Sequence, residues 1–129
     1  MMRQTMQNID AGLAQMTERD TVLVPVADSL PRHLSIWLEN GAVRKLAVVD
    51  SGGNGPGAGE TEVWFLGGDV AVLQQTGDVY AFDAGRIVLW TDGVLEPRTD
   101  ITPDLRMARE ASLIDRVRQW LAAFGVQLP

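Results

Sequence analysis

The chain has 129 residues, 46% of them apolar and 22% charged, a composition that supports one folded domain over residues 1–129 and excludes a disordered or fibrous chain. Its net charge is -6 and Lys45 is its only lysine, which argues against a nucleic-acid or polybasic membrane role, because phosphate binding needs clustered Lys or Arg. Having no cysteine, it can form no disulfide, thiolate nucleophile or thiolate metal site.

Met2, Met6, Ile9, Leu13 and Met16 recur at spacings of four and three, which predicts an amphipathic helix over about residues 3–16. Methionine at three of these five positions suits an irregular partner surface. The stripe either packs on the protein's own sheet or docks a second chain, as in a structural homo-oligomer. This stretch carries acid and lacks the unbroken apolar core of a secretory leader. The expected setting is periplasmic or extracellular if a leader has been removed, and cytoplasmic otherwise. No apolar run approaches the length of a membrane span.

Residues 21–26 form a β-branched run interrupted by Pro25, which reads as an edge strand or extended linker. Three similar stretches follow: IWLENGAVRKL at 36–46, VWFLGGDVAVL at 63–73 and YAFDAGRIVLW at 80–90. Each puts an aromatic-containing apolar triplet two residues before a glycine (Gly41, Gly68, Gly85) and a second apolar run after it. This is the pattern of three successive hairpins. Residues 51–60, SGGNGPGAGE, are too rich in glycine for regular structure, and without a Gly-Lys-Ser/Thr ending or a following helix they do not read as a phosphate cradle. Further turns are signalled by Thr76-Gly77-Asp78 and Thr91-Asp92-Gly93. Strands are predicted near 34–39, 42–49, 61–66, 69–75, 78–83 and 86–91.

After Pro97 comes a polar connector, then Thr102-Pro103, a helix entry in which the hydroxyl caps a free amide and proline occupies the first turn. The predicted helix spans about 103–124, with Leu105, Ala108, Leu113, Val117, Trp120, Leu121 and Phe124 on its apolar face and Gly125 as its left-handed cap. The fold class is therefore α+β, an antiparallel β-meander of about six strands with an N-terminal helix and a long C-terminal helix packed on it.

Successive side chains on a strand alternate in direction, so Leu38, Phe65 and Phe82 oppose Trp37, Trp64 and Ala81. Both faces of the sheet are then expected to be apolar and to need cover. Asn40-Gly41 suits a two-residue type I′ loop, whereas Ala84 should resist positive φ, so a three-residue loop with a glycine bulge is expected at Asp83-Ala84-Gly85. The choice of loop is expected to leave the alternation within each strand unchanged.

Chemistry is sparse. His33, the only histidine, follows Pro31-Arg32 with no Ser or Asp partner in a recognisable motif. Asp78, Asp83, Asp92, Glu96, Asp100 and Asp104 gather late in the chain without the spacing of a calcium loop, and suit turns and caps. No metal or cofactor is expected. A hydrolase or metal-dependent enzyme would need a polar pocket combining His33 with two or more carboxylates. The candidate contact residues are aromatic: Trp37 and Trp64 on one sheet face, with Tyr80 and Trp90 elsewhere in the meander. Flat rings on a sheet can stack on sugars, peptides or bases, although tryptophan under a helix is also ordinary core.

The stretches WLENGAVRKL, WFLGGDVAVL and YAFDAGRIVLWTDG and the helix DLRMAREASLIDRVRQWLAAFG resemble small exported bacterial proteins of unknown function, often lipoproteins, built as a helix, aromatic hairpins and a closing helix. The resemblance covers nearly the whole chain and implies the same meander between helices. That group has no established activity, so the resemblance assigns no functional residues. The function expected from the residues is a non-enzymatic binding or interaction module using the aromatic sheet face.

Overall fold

The computed structural model describes residues 2–23, 32–50, 61–75 and 77–128. In chain order they form helix α1 (Met2–Ala11), a 3-10 turn (Leu13–Gln15), strands β1 (Thr17–Leu23), β2 (Arg32–Glu39), β3 (Ala42–Asp50), β4 (Thr61–Leu66), β5 (Asp69–Gln75), β6 (Asp78–Asp83) and β7 (Arg86–Asp92), and helix α2 (Pro103–Ala122). The strands make one antiparallel sheet in which spatial order follows chain order from β1 to β7. The α+β meander is as read from the sequence, with seven strands in place of about six. Pro25, the glycine-rich stretch 51–60 and Thr76 lie outside the described residues.

The additional strand is β1, an edge strand that takes in Thr21–Leu23 of the run read as an edge strand or linker but begins at Thr17. It pairs with β2 from Thr17 opposite Leu38 to Leu23 opposite Arg32. Its Glu18, Arg19 and Asp20 hide it from a search for apolar alternation. At a sheet edge such charges discourage pairing with a foreign strand.

The three glycine turns share one geometry. Asn40-Gly41, Gly67-Gly68 and Ala84-Gly85 have positive φ at both residues, and the flanking residues pair directly, Glu39 with Ala42, Leu66 with Asp69 and Asp83 with Arg86. These are two-residue loops, so the three-residue loop expected at Asp83-Ala84-Gly85 is corrected: Ala84 adopts φ 52°. Such a conformation costs an L-residue about 1–2 kcal/mol. The register that buries Phe82 and Ile87 opposite each other, together with the strand twist favouring this turn, outweighs it.

Each hairpin also carries a bulge at the same place. Pairing passes from Leu38 opposite Val43 to Trp37 opposite Lys45, from Phe65 opposite Val70 to Trp64 opposite Val72, and from Phe82 opposite Ile87 to Ala81 opposite Leu89, leaving Arg44, Ala71 and Val88 without partners. The alternation expected to run unbroken is thus interrupted in β3, β5 and β7. Lys45, Val72 and Leu89 end up on the side of Trp37, Trp64 and Ala81.

Helix α2 covers one face. Its Leu113, Val117, Trp120 and Leu121, with Phe124 beyond its end, pack on Leu34, Ile36, Leu46, Phe65, Tyr80 and Ile87. The helix crosses the whole sheet: Glu110 accepts the Ile87 amide of β7 at 2.7 Å, and Arg19 of β1 donates to the Phe124 carbonyl at 3.4 Å. Thr102 caps it by accepting from the Leu105 amide, and Gly125 takes φ 75° after its end. Leu105 and Ala108, expected on the apolar face, are exposed, because the first turns lie ahead of Leu113, the first residue that α2 buries.

Helix α1 lies on the other face and ends at Ala11, with the 3-10 turn continuing toward β1. Met2 and Ile9 are buried against Trp64, Val72 and Val79, and Met6, Leu13 and Met16 pack on the same cluster. The methionine stripe therefore sits on the protein's own sheet. The apolar cover spans β4 to β6, with only Asp10 reaching on to Lys45 of β3, which corrects the expectation that the whole face is apolar. Over β1 to β3 the row Asp20, Ser35, Ala47 is continued by Glu62 of β4, none of them buried, and the row Val22, His33, Val49 is exposed. The aromatic triplets sample one position per strand and do not report these rows.

Candidate functional site

Trp37, Lys45 and Trp64 stand in one row across β2, β3 and β4. The bulge at Arg44 sets this row, since it moves Lys45 opposite Trp37. The Lys45 ammonium lies 4.9 Å from the centre of the Trp64 ring and 5.8 Å from that of Trp37. Asp10 of α1 reaches down to it: one carboxylate oxygen accepts from Lys45 Nζ at 2.9 Å and from Trp64 Nε1 at 2.9 Å. Glu62 adds a second carboxylate at 3.6 Å. With Lys45 only 7% exposed, two rings and two carboxylates hold its charge in place rather than offer it to a ligand.

Within this row Trp64 is 1% exposed beneath α1, whereas Trp37 is half-buried at the rim of the helix-covered region. Tyr80 and Trp90 lie on the opposite face, under α2, with ring centres 5.0 Å apart at 56°. The four candidate aromatics therefore form two pairs separated by the sheet.

The second pair is also built around a cation. Arg109 of α2 donates to the Tyr80 hydroxyl at 2.8 Å and lies 5.0 Å from the Trp90 ring centre. Trp90 Nε1 donates to Asp78 at 3.1 Å, and Arg98 bridges Asp78 and Asp100 at 3.1 and 3.0 Å. Burial pushes the Tyr80 hydroxyl above its ordinary value, with Arg109 opposing part of the shift. Hydrogen bonding from Arg98 holds the Asp100 carboxyl below the usual range. This cluster fastens α2 and the connector to β6 and β7.

His33 is exposed on β2, opposite Val22 on one side and Val49 on the other. Among the described residues no three His, Asp or Glu side chains gather as a metal site would require. The carboxylate of Asp92 accepts the Val94 and Glu96 amides, the turn duty anticipated for it, whereas Asp104 lies in the first turn of α2 without capping it and Asp78 and Asp100 pair with Arg98. No helix among the described residues is long and apolar enough to cross a membrane.

Sequence reasoning singled out neither Asp10, Lys45 nor Arg109 as site residues. A lone lysine one hairpin position from a tryptophan was the available signal for Lys45, and it becomes readable only when the bulge is counted. Comparison with known proteins finds no matching family model, no matching curated protein and no matching solved structure.

Proposed function

We propose that the protein is a non-enzymatic binding or interaction module whose contact surface is the α1-side face of the sheet around Trp37. The observation that carries this reading is the partial reach of α1. It seals Trp64 but leaves Trp37 half-buried, next to a face on which Val22, His33 and Val49 are exposed. Trp64 and Lys45 act in this reading as the rigid backing that fixes the Trp37 ring, while Trp37 itself meets the ligand by stacking. Rings held by neighbours bind with less loss of conformational freedom than mobile ones. Its setting in this reading is the bacterial envelope, on the resemblance of the hairpins alone.

The test is an array of glycans and peptides probed with the wild-type protein, Trp37→Ala and Trp37→Phe. The expected result is selective binding that Trp37→Ala abolishes and Trp37→Phe partly retains, with an unchanged circular dichroism spectrum for both variants. An array without signal, or with the same signal for Trp37→Ala, overturns the reading.

A further inference from the structure

Three open grooves of about 360, 500 and 520 Å³ meet at one residue, Val88. Val88 is the bulge residue of the third hairpin. Its counterparts Arg44 and Ala71 are half-buried between neighbouring strands, but β7 is the last strand of the sheet, so Val88 is 61% exposed. Leu89 beside it and Met107 of α2, exposed to 38% and 60%, extend the apolar patch. Scattered exposed apolar residues need no explanation, but a contiguous set around converging grooves marks a contact surface.

The charge at this patch is opposite to that of the protein as a whole. Arg86 and Arg106 line the groove between β7 and α2, both exposed, and among the described residues neither forms an ion pair. The single acid in that groove, Glu110, is engaged by the Ile87 amide. In a chain of net charge -6, this leaves two unpaired guanidiniums facing an apolar strand edge. Guanidinium matches carboxylate geometry in two parallel hydrogen bonds.

We propose that this surface docks a short peptide segment of another protein in which an apolar side chain is flanked by carboxylates. The apolar residue seats beside Val88 and Met107, and the carboxylates pair with Arg86 and Arg106. Recognition is by side chains, because strand addition is blocked: Glu110 takes the Ile87 amide, Arg98 N donates to the Trp90 carbonyl, and Asp92 N donates to the Glu96 carbonyl. A second copy of this chain fits poorly, since a two-fold contact would bring the same arginines of both copies together. The site lies at the opposite edge of the sheet from β1 and away from Trp37, so it stands independently of the stacking surface proposed above.

The test is selection of a displayed library of random 12-residue peptides on the full chain, followed by anisotropy titration of one labelled recovered peptide. The expected result is enrichment of sequences combining Leu, Ile or Phe with Asp or Glu. Their affinity is expected to fall at least tenfold for Arg86→Gln/Arg106→Gln and for Val88→Asp, to weaken with salt, and to be unchanged in Trp37→Ala. Thermal unfolding of the variants, whose changed side chains are exposed, is expected to match that of the wild type. Failure to enrich, enrichment of basic or wholly apolar peptides, or equal affinity for the arginine variant overturns the proposal. So does a concentration-dependent dimer that the arginine variant abolishes, which would assign the face to self-association.

Discussion

Asp10 and Lys45 form a 2.9 Å ion pair that joins α1 to the middle of the sheet, and the same Asp10 oxygen accepts the indole N–H of Trp64. One carboxylate therefore does two things: it satisfies a nearly buried ammonium and orients a buried ring. Polar groups in such positions cost little when paired and much when one partner is removed.

Asp10→Ala is expected to destabilise the fold by about 1–2 kcal/mol, since it leaves Lys45 with the more distant Glu62 and Trp64 without an acceptor. The cost stays below that of breaking a fully buried pair because the Asp10 side chain is 43% exposed. Lys45→Met, which removes the charge and keeps the stem, is expected to cost less than Asp10→Ala. Urea unfolding of the two variants and of the double variant measures both, and a neutral Asp10→Ala would show that the ion pair does not hold α1.

Tyr80 predicts a fall in stability at high pH. Its folded-state hydroxyl titrates above the ordinary value of 10.0, chiefly through burial, so the unfolded chain ionises first. The contribution is fully present below about pH 10 and is lost as pH rises from there through the folded-state pKa. Tyr80 is the only tyrosine, so absorbance at the phenolate band reports it alone. Titration of the folded protein at or below the free-tyrosine value would contradict the packing described for Tyr80.

At the third turn, Ala84→Asn copies Asn40 of the first hairpin into a position of φ 52°. The expected gain is about 0.5–1 kcal/mol, because Asn tolerates the left-handed region better than Ala. An increase in the urea midpoint with an unchanged slope is the measurement. A lower midpoint would indicate that the loop takes another form in solution.

Glu110→Ala should uncap β7. The Ile87 amide loses its 2.7 Å acceptor, with an expected cost of about 1–2 kcal/mol and a greater tendency to associate through the freed edge. Glu110→Gln retains a side-chain oxygen and is expected to recover most of the loss. Calorimetry and light scattering on the same samples separate the two effects.

The hairpins and α2 were legible in the sequence because their signals are local: glycine at a turn, aromatic and β-branched residues beside it, a threonine-proline entry to a helix. β1 was less legible, since an edge strand with Glu18, Arg19 and Asp20 gains its order from pairing with β2 rather than from burying an apolar face. Ala84 shows a local preference overridden by register. The site was less legible still, because the row Trp37, Lys45, Trp64 depends on the bulge at Arg44, one of three that no single residue type announces. A plain two-residue hairpin would have placed Arg44, not Lys45, opposite Trp37. The split of the aromatics into two pairs follows from the same offset and from which helix reaches each face.

Because each strand pairs only with its chain neighbours, most of the sheet's closure entropy is small and the hairpins can add one after another without distant searching. The exception is α2, which follows all seven strands and spans from Ile87 back to Arg19. Until it docks, Phe65, Phe82 and Ile87 have no cover on their side. The slow, aggregation-exposed moment in folding should therefore fall late, after the meander has zipped and before its final helix has settled across it.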